Sequence, residues 1–195
     1  ERGIPVQIEL CPLTSPDLAP RLTKRGYVLQ AFENELARLA PAEPVQPPSG
    51  ADITVEAGVG EQPWLEVVAE GFAAPDRTVP GAPPLPRDAV AAIGDVMRQF
   101  FHPEIVRYLA YVDGRPASAG LSFLRDGVLG IAGTATRPAF RRRGLQSAIV
   151  ARALNDARGK SELVMATTEP GSISQRTFER FGFHVIYTRA ILVKY

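Results

Sequence analysis

The densest cluster of chemically useful side chains is a run of three arginines followed by a glycine, from Arg141 to Gly144. It precedes an apolar periodic segment that predicts a helix, so it lies where first-turn amides have no partner and the helix dipole is positive. Gly144 lets a phosphate approach the backbone, and arginines add charge-assisted hydrogen bonds. The segment has neither a nucleoside triphosphate loop (Gly-Lys-Ser/Thr) nor a Gly-x-Gly-x-x-Gly dinucleotide motif. The pattern therefore predicts a site for another phosphate ligand.

A strand-helix-strand unit is predicted to position this run. Val128–Thr136 is apolar with small side chains, Gly144–Arg158 has apolar residues at helical spacing, and Leu163–Thr167 is again a strand. A crossover through a helix makes its two strands parallel, and ligands collect beyond the carboxyl ends of such strands. We therefore expect the site near Thr136 and Thr168.

Periodicity, capping residues and turn signals predict the remaining elements, with Asp-Gly pairs at 113–114 and 126–127 as hairpin turns. The other predicted strands are Val6–Leu10, Val28–Leu36, Ile53–Glu56, Val106–Val112, Pro116–Leu124 and Val185–Val193. The other predicted helices are Ser15–Lys24 with Pro16 in its first turn, Trp64–Phe72, Arg87–Gln99, and Ser172–Phe181 stopping at Gly182. Together they indicate an α/β protein with a mixed sheet.

Two segments resemble motifs of the GNAT superfamily of N-acetyltransferases. Residues 136–147 are similar to its acyl-CoA pyrophosphate loop, Gln/Arg-x-x-Gly-x-Gly/Ala after a strand. Arg141 and Gly144 match, whereas Gln146 replaces the small residue and either crowds the pyrophosphate or points away. Residues 171–183 resemble the family's last helix and its Gly-Phe exit. An arginine run alone is also typical of a solvated surface, but the two motifs occur in the family's order.

The resemblance covers about residues 51–195 and implies a GNAT-like fold, with a mixed, mostly antiparallel sheet, a central parallel strand-helix-strand unit and flanking helices. It implies direct attack of an amine on the thioester of acetyl-CoA, with no metal. Backbone amides of the central strand would hold the pantetheine arm and polarise the thioester carbonyl. The implied cofactor-binding residues are Ala135, Thr136, Arg141, Arg142, Arg143, Gly144, Leu145, Gln146, Ser147 and, in the last helix, Ser174.

The attacking amine requires a base, because an ammonium with a lysine-like pKa of about 10.4 must first lose its proton. Glu169, Glu104 and His102 are eligible. Glu169 is favoured because it follows the predicted parallel strand at its carboxyl end, although surface glutamates are more often structural.

This chain lacks the side chain that protonates the departing thiolate in many family members. They carry a tyrosine in the last helix where this chain has Phe178. A thiol with a pKa of about 8.5 leaves as thiolate with modest help, so the loss need not abolish transfer. Tyr187 and Tyr111 are alternative sources of a hydroxyl, although tyrosines on strands more often pack.

Proline-rich stretches predict the domain organisation. Residues 40–50 hold four prolines and are interpreted as a linker, and Phe72–Pro86 holds five more in a long loop. Residues 1–39, a strand-helix-strand, repeat the pattern of the chain's end. They are interpreted as part of an N-terminal GNAT-like lobe of a tandem protein whose earlier half precedes Glu1. The alternative is an extra strand-helix-strand appended to the domain at 51–195.

Composition limits the partners. Twenty-two basic and 21 acidic residues leave a formal charge of +1, which disfavours nucleic acid and anionic membranes as partners. Cys11 is the single cysteine, so no internal disulfide forms, and with two histidines the usual zinc ligand sets cannot be assembled. We expect a reducing, cytoplasmic setting. The chain has no run of 18 apolar residues that would span a membrane.

The resemblance thus implies an acetyl-CoA-dependent N-acetyltransferase acting on a primary amine of a small molecule or protein. An alternative is a catalytically weakened GNAT-fold protein that binds acyl-CoA as a sensor or scaffold, motivated by Phe178 and Gln146. Nucleic-acid binding through the arginines is a third reading, disfavoured by the near-zero charge and by the lack of interleaved aromatic residues.

Overall fold

The structure, a computed structural model, describes residues 5–47, 53–74 and 104–195. The predicted helix Arg87–Gln99, the candidate base His102 and most of the predicted loop Phe72–Pro86 lie outside these residues. In chain order, the described α-helices and strands are β1 Val6–Leu10, α1 Leu18–Lys24, β2 Val28–Leu39, β3 Ile53–Ala57, α2 Glu61–Ala73, β4 Ile105–Val112, β5 Arg115–Arg125, β6 Val128–Thr136, α3 Leu145–Ala157, β7 Leu163–Thr168, α4 Ile173–Arg180 and β8 His184–Lys194.

The chain divides into two compact units. The first contains Glu1–Arg38 and Met165–Tyr195, and the second contains Leu39–Val164. The described strands are mostly antiparallel with one parallel pair, which confirms the predicted fold class of a mixed, mostly antiparallel α/β protein.

The first unit is built around β8, in the strand order β1-β8-β2-β7. Antiparallel pairing joins β8 to β1 on one side, where Val6 faces Lys194, and to β2 on the other, where Glu33 faces Arg189. Both partners of β8 therefore come from the first forty residues. Phe178 of α4 packs edge-on against Phe183 with 5.1 Å between ring centroids, and both rings are buried in this unit's core.

The second unit has the strand order β6-β5-β4-β3, and its strand pairs are antiparallel. Both Asp-Gly pairs turn as predicted, since Asp113, Gly114, Asp126 and Gly127 all have positive φ, the requirement of a type I′ hairpin turn. Helix α2 packs on these strands through the fully buried Trp64, whose indole N–H also donates to a backbone carbonyl of β5 at 2.8 Å.

Strand β6 contains a bulge that the sequence analysis did not predict. Ala135 faces Ala119, but the next paired residue, Ala132, faces Leu121, so Gly120 lies opposite two residues instead of one. Gly133 takes a left-handed φ of 59°, as in bulges that begin with glycine. The bulge re-aims the residue that follows, Thr134.

Several predicted boundaries shift. The first helix begins at Leu18 and not at Ser15, because the Ser15 hydroxyl bonds to the Asp17 carboxylate in a turn before it. The proline in its first turn is therefore Pro20, and Pro16 precedes the helix. The remaining described elements agree with prediction to within about three residues, and β1 and β6 agree at both ends.

The described part of the predicted linker, residues 40–47, is hydrogen-bonded to α3 through Val45. The amide side chain of Asn155 bonds to both the N–H and the carbonyl of Val45, at 2.8 and 2.9 Å. The Ala40 N–H donates to the Glu162 carbonyl at 2.9 Å. The segment is therefore held to the second unit, while the predicted division at 1–39, 40–50 and 51–195 stays a prediction.

Among the described helices, none is long and apolar enough to cross a membrane.

Candidate functional site

The end of β6 is fixed by the neighbouring strand β5. The Ser118 hydroxyl donates to the Ala135 carbonyl at 2.8 Å and lies 2.8 Å from the Thr136 hydroxyl. The Arg137 N–H donates to the Ala117 carbonyl at 2.9 Å. Because hydrogen-bonded pairs alternate along an antiparallel ladder, the Ala135 N–H faces β5 and the Thr136 N–H points away from it. The sequence analysis assigned both amides to a ligand; this alternation places the Ala135 amide in the pairing with β5.

The last turn of α2 lies against the same strand end. Gly71 permits this approach, since a Cβ there would lie 2.7 Å from the Ala135 Cβ and 3.1 Å from the Thr136 nitrogen. Arg137 adds an ion pair from the strand end to Glu70 of the helix, with 3.0 Å between Nε and Oε2. The helix is therefore closely packed at the point where the arginine segment begins.

Arg141 caps the C-terminus of α2. Its guanidinium donates to the carbonyls of Gly71, at 3.1 Å, and of Ala74, and its Nε donates to the Thr136 carbonyl at 3.2 Å. The last carbonyls of a helix lack partners within it and carry the negative end of its dipole, so a cation there is doubly favourable. The sequence analysis assigned this arginine to a phosphate, whereas its side chain bonds protein carbonyls.

Arg142 and Arg143 face solvent. Within residues 5–47, 53–74 and 104–195, neither side chain makes a hydrogen bond or an ion pair, although the Arg143 guanidinium lies 5.6 Å from the centre of the Phe140 ring. Arg142 has a left-handed φ of 64°, which is unusual for a residue other than glycine. Two guanidinium groups are thus left to act on a ligand.

Gly144 begins α3 in a left-handed conformation, with φ 82° and ψ 6°. Among the described residues no side chain caps the helix there, and its first turn contains no acidic residue. Leu145 and Ser147 of that turn are buried. Alternating left-handed residues directly before a helix orient successive amides toward one point, an arrangement that binds anions. The predicted phosphate-binding segment therefore forms a positive, uncapped helix start.

The side chain of Gln146 turns back onto β6. Its amide nitrogen donates to the Thr134 hydroxyl at 3.0 Å. Of the two alternatives in the sequence analysis, crowding the pyrophosphate or pointing away, the hydrogen bond corresponds to pointing away. The sequence analysis missed Thr134, although a glycine inside a strand, Gly133, is a signal for a bulge.

Two predicted site residues, Glu169 and Ser174, and the position of the missing tyrosine, Phe178, belong to the first unit. Glu169 directly follows β7 and is exposed, and its carbonyl accepts from the Ser172 N–H at 3.2 Å. Ser174 is half-buried in the first turn of α4. Phe178 is 2% exposed and packs in the core, so this position offers no hydroxyl. Glu104, the other described candidate base, is exposed in the second unit.

The surroundings of both alternative tyrosines raise the pKa of the hydroxyl, through burial first. The Tyr111 hydroxyl donates to the Glu56 carboxylate at 3.0 Å, between β4 and β3. Burial, followed by the nearby Glu35, raises the pKa of Tyr187 in the first unit. A raised pKa keeps the phenol protonated but weakens it as an acid.

Comparison with known proteins identifies related families and folds. The sequence model of the acetyltransferase (GNAT) family matches residues 76–183. No curated protein matches the chain.

Solved structures share the fold. A GCN5-related N-acetyltransferase from Kribbella flavida has 23% identity and a TM-score of 0.66, covering 96% of this chain and 67% of its own. One from Sphaerobacter thermophilus has 21% identity and a TM-score of 0.67, with coverages of 98% and 59%. A tandem GNAT protein from the clavulanic acid biosynthesis pathway has 14% identity and a TM-score of 0.60, with coverages of 97% and 63%. The chain thus spans about three fifths to two thirds of these proteins, and such low identities show the fold alone.

Proposed function

The chain belongs to the GNAT acetyltransferase family, a family of acyltransferase enzymes, and from that premise we propose that it transfers an acetyl group from acetyl-CoA to a primary amine of a small molecule or a protein. The observation that carries the proposal is the start of α3, where Gly144 is left-handed and no described side chain caps the helix. The single cysteine supports placing the activity in the reducing cytoplasm.

Three features of this helix start suit the pyrophosphate of acetyl-CoA. Backbone amides of the first turn supply directional donors. The helix dipole makes the potential positive at the point toward which these amides are oriented. Arg142 and Arg143 supply exposed cations at the edge of the helix start. A nucleotide pyrophosphate carries the matching negative charge, and arginine binds phosphate oxygens with charge-assisted hydrogen bonds.

Acetyl-CoA supplies the acyl group as an activated thioester. The amine forms a bond to the acyl carbon, the carbon–sulfur bond breaks, and the sulfur leaves as thiolate. The Thr136 N–H, which points away from β5, is the backbone donor we assign to the carbonyl oxygen that gains charge. Because this donor is fixed in the strand, it requires no rearrangement during reaction.

We assign proton removal from the ammonium to Glu169, directly or through water. Its carboxylate is exposed at the end of β7, and no described residue bonds to it. A carboxylate placed beside the ammonium is one of the side chains that serve as general base. The thiolate then takes its proton from water, since Phe178 has none to give.

The buried Phe178 also favours a second candidate function, a GNAT-fold protein that binds acyl-CoA without efficient turnover. The two candidates share the phosphate site and differ in chemistry. Release of free thiol from acetyl-CoA that depends on an added amine supports the enzyme. Tight binding with no turnover across a panel of small amines and lysine peptides supports the sensor or scaffold.

The test is calorimetric titration with acetyl-CoA of wild type, Gly144→Asp and Gly144→Asn. Both side chains tolerate a left-handed backbone and have nearly the same shape, so charge alone separates them. We expect Asp to abolish measurable binding, because its carboxylate occupies and repels the anion site, and Asn to weaken it by about tenfold or less. Equal affinities for the two variants would contradict the assignment. In the amine assay, Glu169→Gln should lower kcat while leaving the acetyl-CoA affinity unchanged.

A further inference from the structure

Two hydroxyl groups of the second unit meet where β6 ends. Ser118 of β5 is paired with Thr136, the last residue of β6; the serine is fully buried and the threonine is half-buried. The Ser118 oxygen lies 2.8 Å from two other oxygens, the Ala135 carbonyl and the Thr136 hydroxyl. The direction of the two hydroxyl protons decides what Thr136 can offer to a ligand.

The chemistry of these three oxygens fixes both directions. A carbonyl oxygen only accepts hydrogen bonds, and a serine hydroxyl carries one proton, so Ser118 gives its proton to Ala135. With that proton in use, the contact between Ser118 and Thr136 needs the proton of Thr136. The reverse assignment would leave the Ser118 and Ala135 oxygens 2.8 Å apart with no proton between them, which is costly in a buried place. The Thr136 hydroxyl therefore donates to Ser118.

The Thr136 hydroxyl is consequently available to a ligand as an acceptor. Its proton is held by Ser118, and within the described part of the chain Ser118 is its one hydrogen-bond partner. A hydroxyl oxygen has two lone pairs, which accept from an N–H and repel a carbonyl or phosphate oxygen. The end of β6 therefore favours an N–H donor at this point.

This acceptor lies on the face of the strands that α3 covers. The Ala135 side chain faces α2, because a Cβ on Gly71 would lie 2.7 Å from its Cβ, and the next residue, Thr136, points to the opposite face. On the neighbouring strand, a Cβ on Gly120 would lie 2.8 Å from an Ile149 methyl of α3. The hydroxyl is therefore on the same side of the strands as α3, whose start is the proposed pyrophosphate site.

The arm of acyl-CoA joins its pyrophosphate to its thioester and contains two amide groups, each with one N–H. We propose that the Thr136 hydroxyl oxygen accepts a hydrogen bond from one of these amides, and that Ser118 is the positioning residue that holds this hydroxyl as an acceptor. The inference rests on the proposed acyl-CoA site and adds a residue that selects the chemistry of the arm. Ser118 acts through Thr136 and does not touch the ligand.

The experiment compares wild type, Thr136→Val, Thr136→Ser and Ser118→Ala. Calorimetry measures their affinity for acetyl-CoA, for ADP, which has a pyrophosphate but no arm, and for two acetyl-CoA analogues in which one arm amide or the other is replaced by an ester. The ester keeps the shape of the arm but removes the N–H. Thermal unfolding reports whether each variant is folded.

We expect Thr136→Val to bind acetyl-CoA about fivefold more weakly, the factor of one ordinary hydrogen bond, and ADP within about twofold of wild type. Valine keeps the shape of threonine and leaves the bond from Ser118 to Ala135 in place. Thr136→Ser restores the hydroxyl and should recover most of the affinity for acetyl-CoA.

The ester analogues test the direction of the hydrogen bond. Wild type should prefer acetyl-CoA over one of the two analogues by about tenfold, because that ester turns an oxygen toward the Thr136 lone pairs. Thr136→Val should lose this preference. Ser118→Ala should reduce it to about twofold, because the freed Thr136 proton can then be donated to the ester oxygen. A merely structural role of Ser118 would weaken binding of amide and ester alike.

Three results would overturn the inference. They are an unchanged affinity for acetyl-CoA in Thr136→Val, an equal loss of affinity for ADP in that variant, or a preference for the amide that is the same in wild type and Ser118→Ala. The expected pattern of affinities without amine-dependent release of thiol would support the inference and remove the proposed transferase activity. Wild type that binds no acetyl-CoA would overturn both.

Discussion

At the scale of single residues, Arg142 is the most unusual position in the phosphate-binding segment. Its φ of 64° places a side chain with a Cβ in the left-handed region, which costs about 1–3 kcal/mol. Nothing among the described side chains repays this cost through a hydrogen bond or ion pair with Arg142. Strain retained without a structural partner is typical of ligand sites, and here it lies between Arg141, which caps the end of α2, and Gly144, which begins α3.

Arg142 and Arg143 should therefore matter for ligand affinity but not for folding. We expect the Arg142→Gln/Arg143→Gln variant to bind acetyl-CoA about tenfold more weakly, with a smaller loss of affinity in high salt than wild type shows. The control is Arg125→Gln, which removes one exposed arginine at the end of β5, opposite the first residue of β6. Calorimetry at low and high salt checks the prediction. Equal weakening by the control would assign the effect to overall charge.

At the scale of elements, the start of α3 and the end of α2 are joined by one arginine. Arg141 gives its side chain to the carbonyls of Gly71 and Ala74, while its backbone leads into the helix start at Gly144. The first position of the motif, which the sequence analysis treated as a phosphate contact, therefore stabilises an adjoining helix. The ion pair between Arg137 and Glu70 reinforces the same junction.

We expect Arg141→Ala to lower the free energy of unfolding by about 1–3 kcal/mol, because it leaves helix carbonyls without their charged donor. Arg143→Ala, which removes a neighbouring arginine without a hydrogen bond to the described residues, should change it by less than about 0.5 kcal/mol. Urea unfolding at neutral pH measures both. If the two variants were equally stable, the capping role of Arg141 would be wrong.

At the scale of the whole molecule, residues Glu1–Arg38 and Met165–Tyr195 belong to one unit. Strand β8 has β1 on one side and β2 on the other, and its residues Ile191, Leu192 and Val193 are buried. If residues 1–39 were a lobe that folds independently, the remaining residues would fold without them. The strand pairing favours a different outcome.

We expect a chain of residues 41–195 to lose cooperative unfolding, because β8 would lose both neighbouring strands and expose its apolar residues. The control is removal of residues 1–11, which deletes β1 but keeps the β2–β8 pairing. This variant should keep a cooperative transition at a lowered melting temperature. Thermal unfolding followed by circular dichroism tests this. A chain of residues 41–195 with the wild-type transition would show that residues 1–39 fold independently of the rest.

Features that depend on near neighbours in the chain were determined by the sequence alone. The two Asp-Gly turns, the exact bounds of β1 and β6, and Gly144 at the start of α3 follow from local conformational preferences and from periodicity. The order of the two family motifs carried the recognition of the GNAT fold.

Features that depend on distant partners were decided by the tertiary structure. Gln146 bonds a residue 12 positions away, Arg141 caps a carbonyl 70 positions away, and Asn155 holds Val45 across 110 positions. A sequence records which donors these side chains carry but not which acceptors folding brings within hydrogen-bonding distance of them. The sequence therefore identified the phosphate-binding segment, whereas packing decided which of its side chains remain for a ligand.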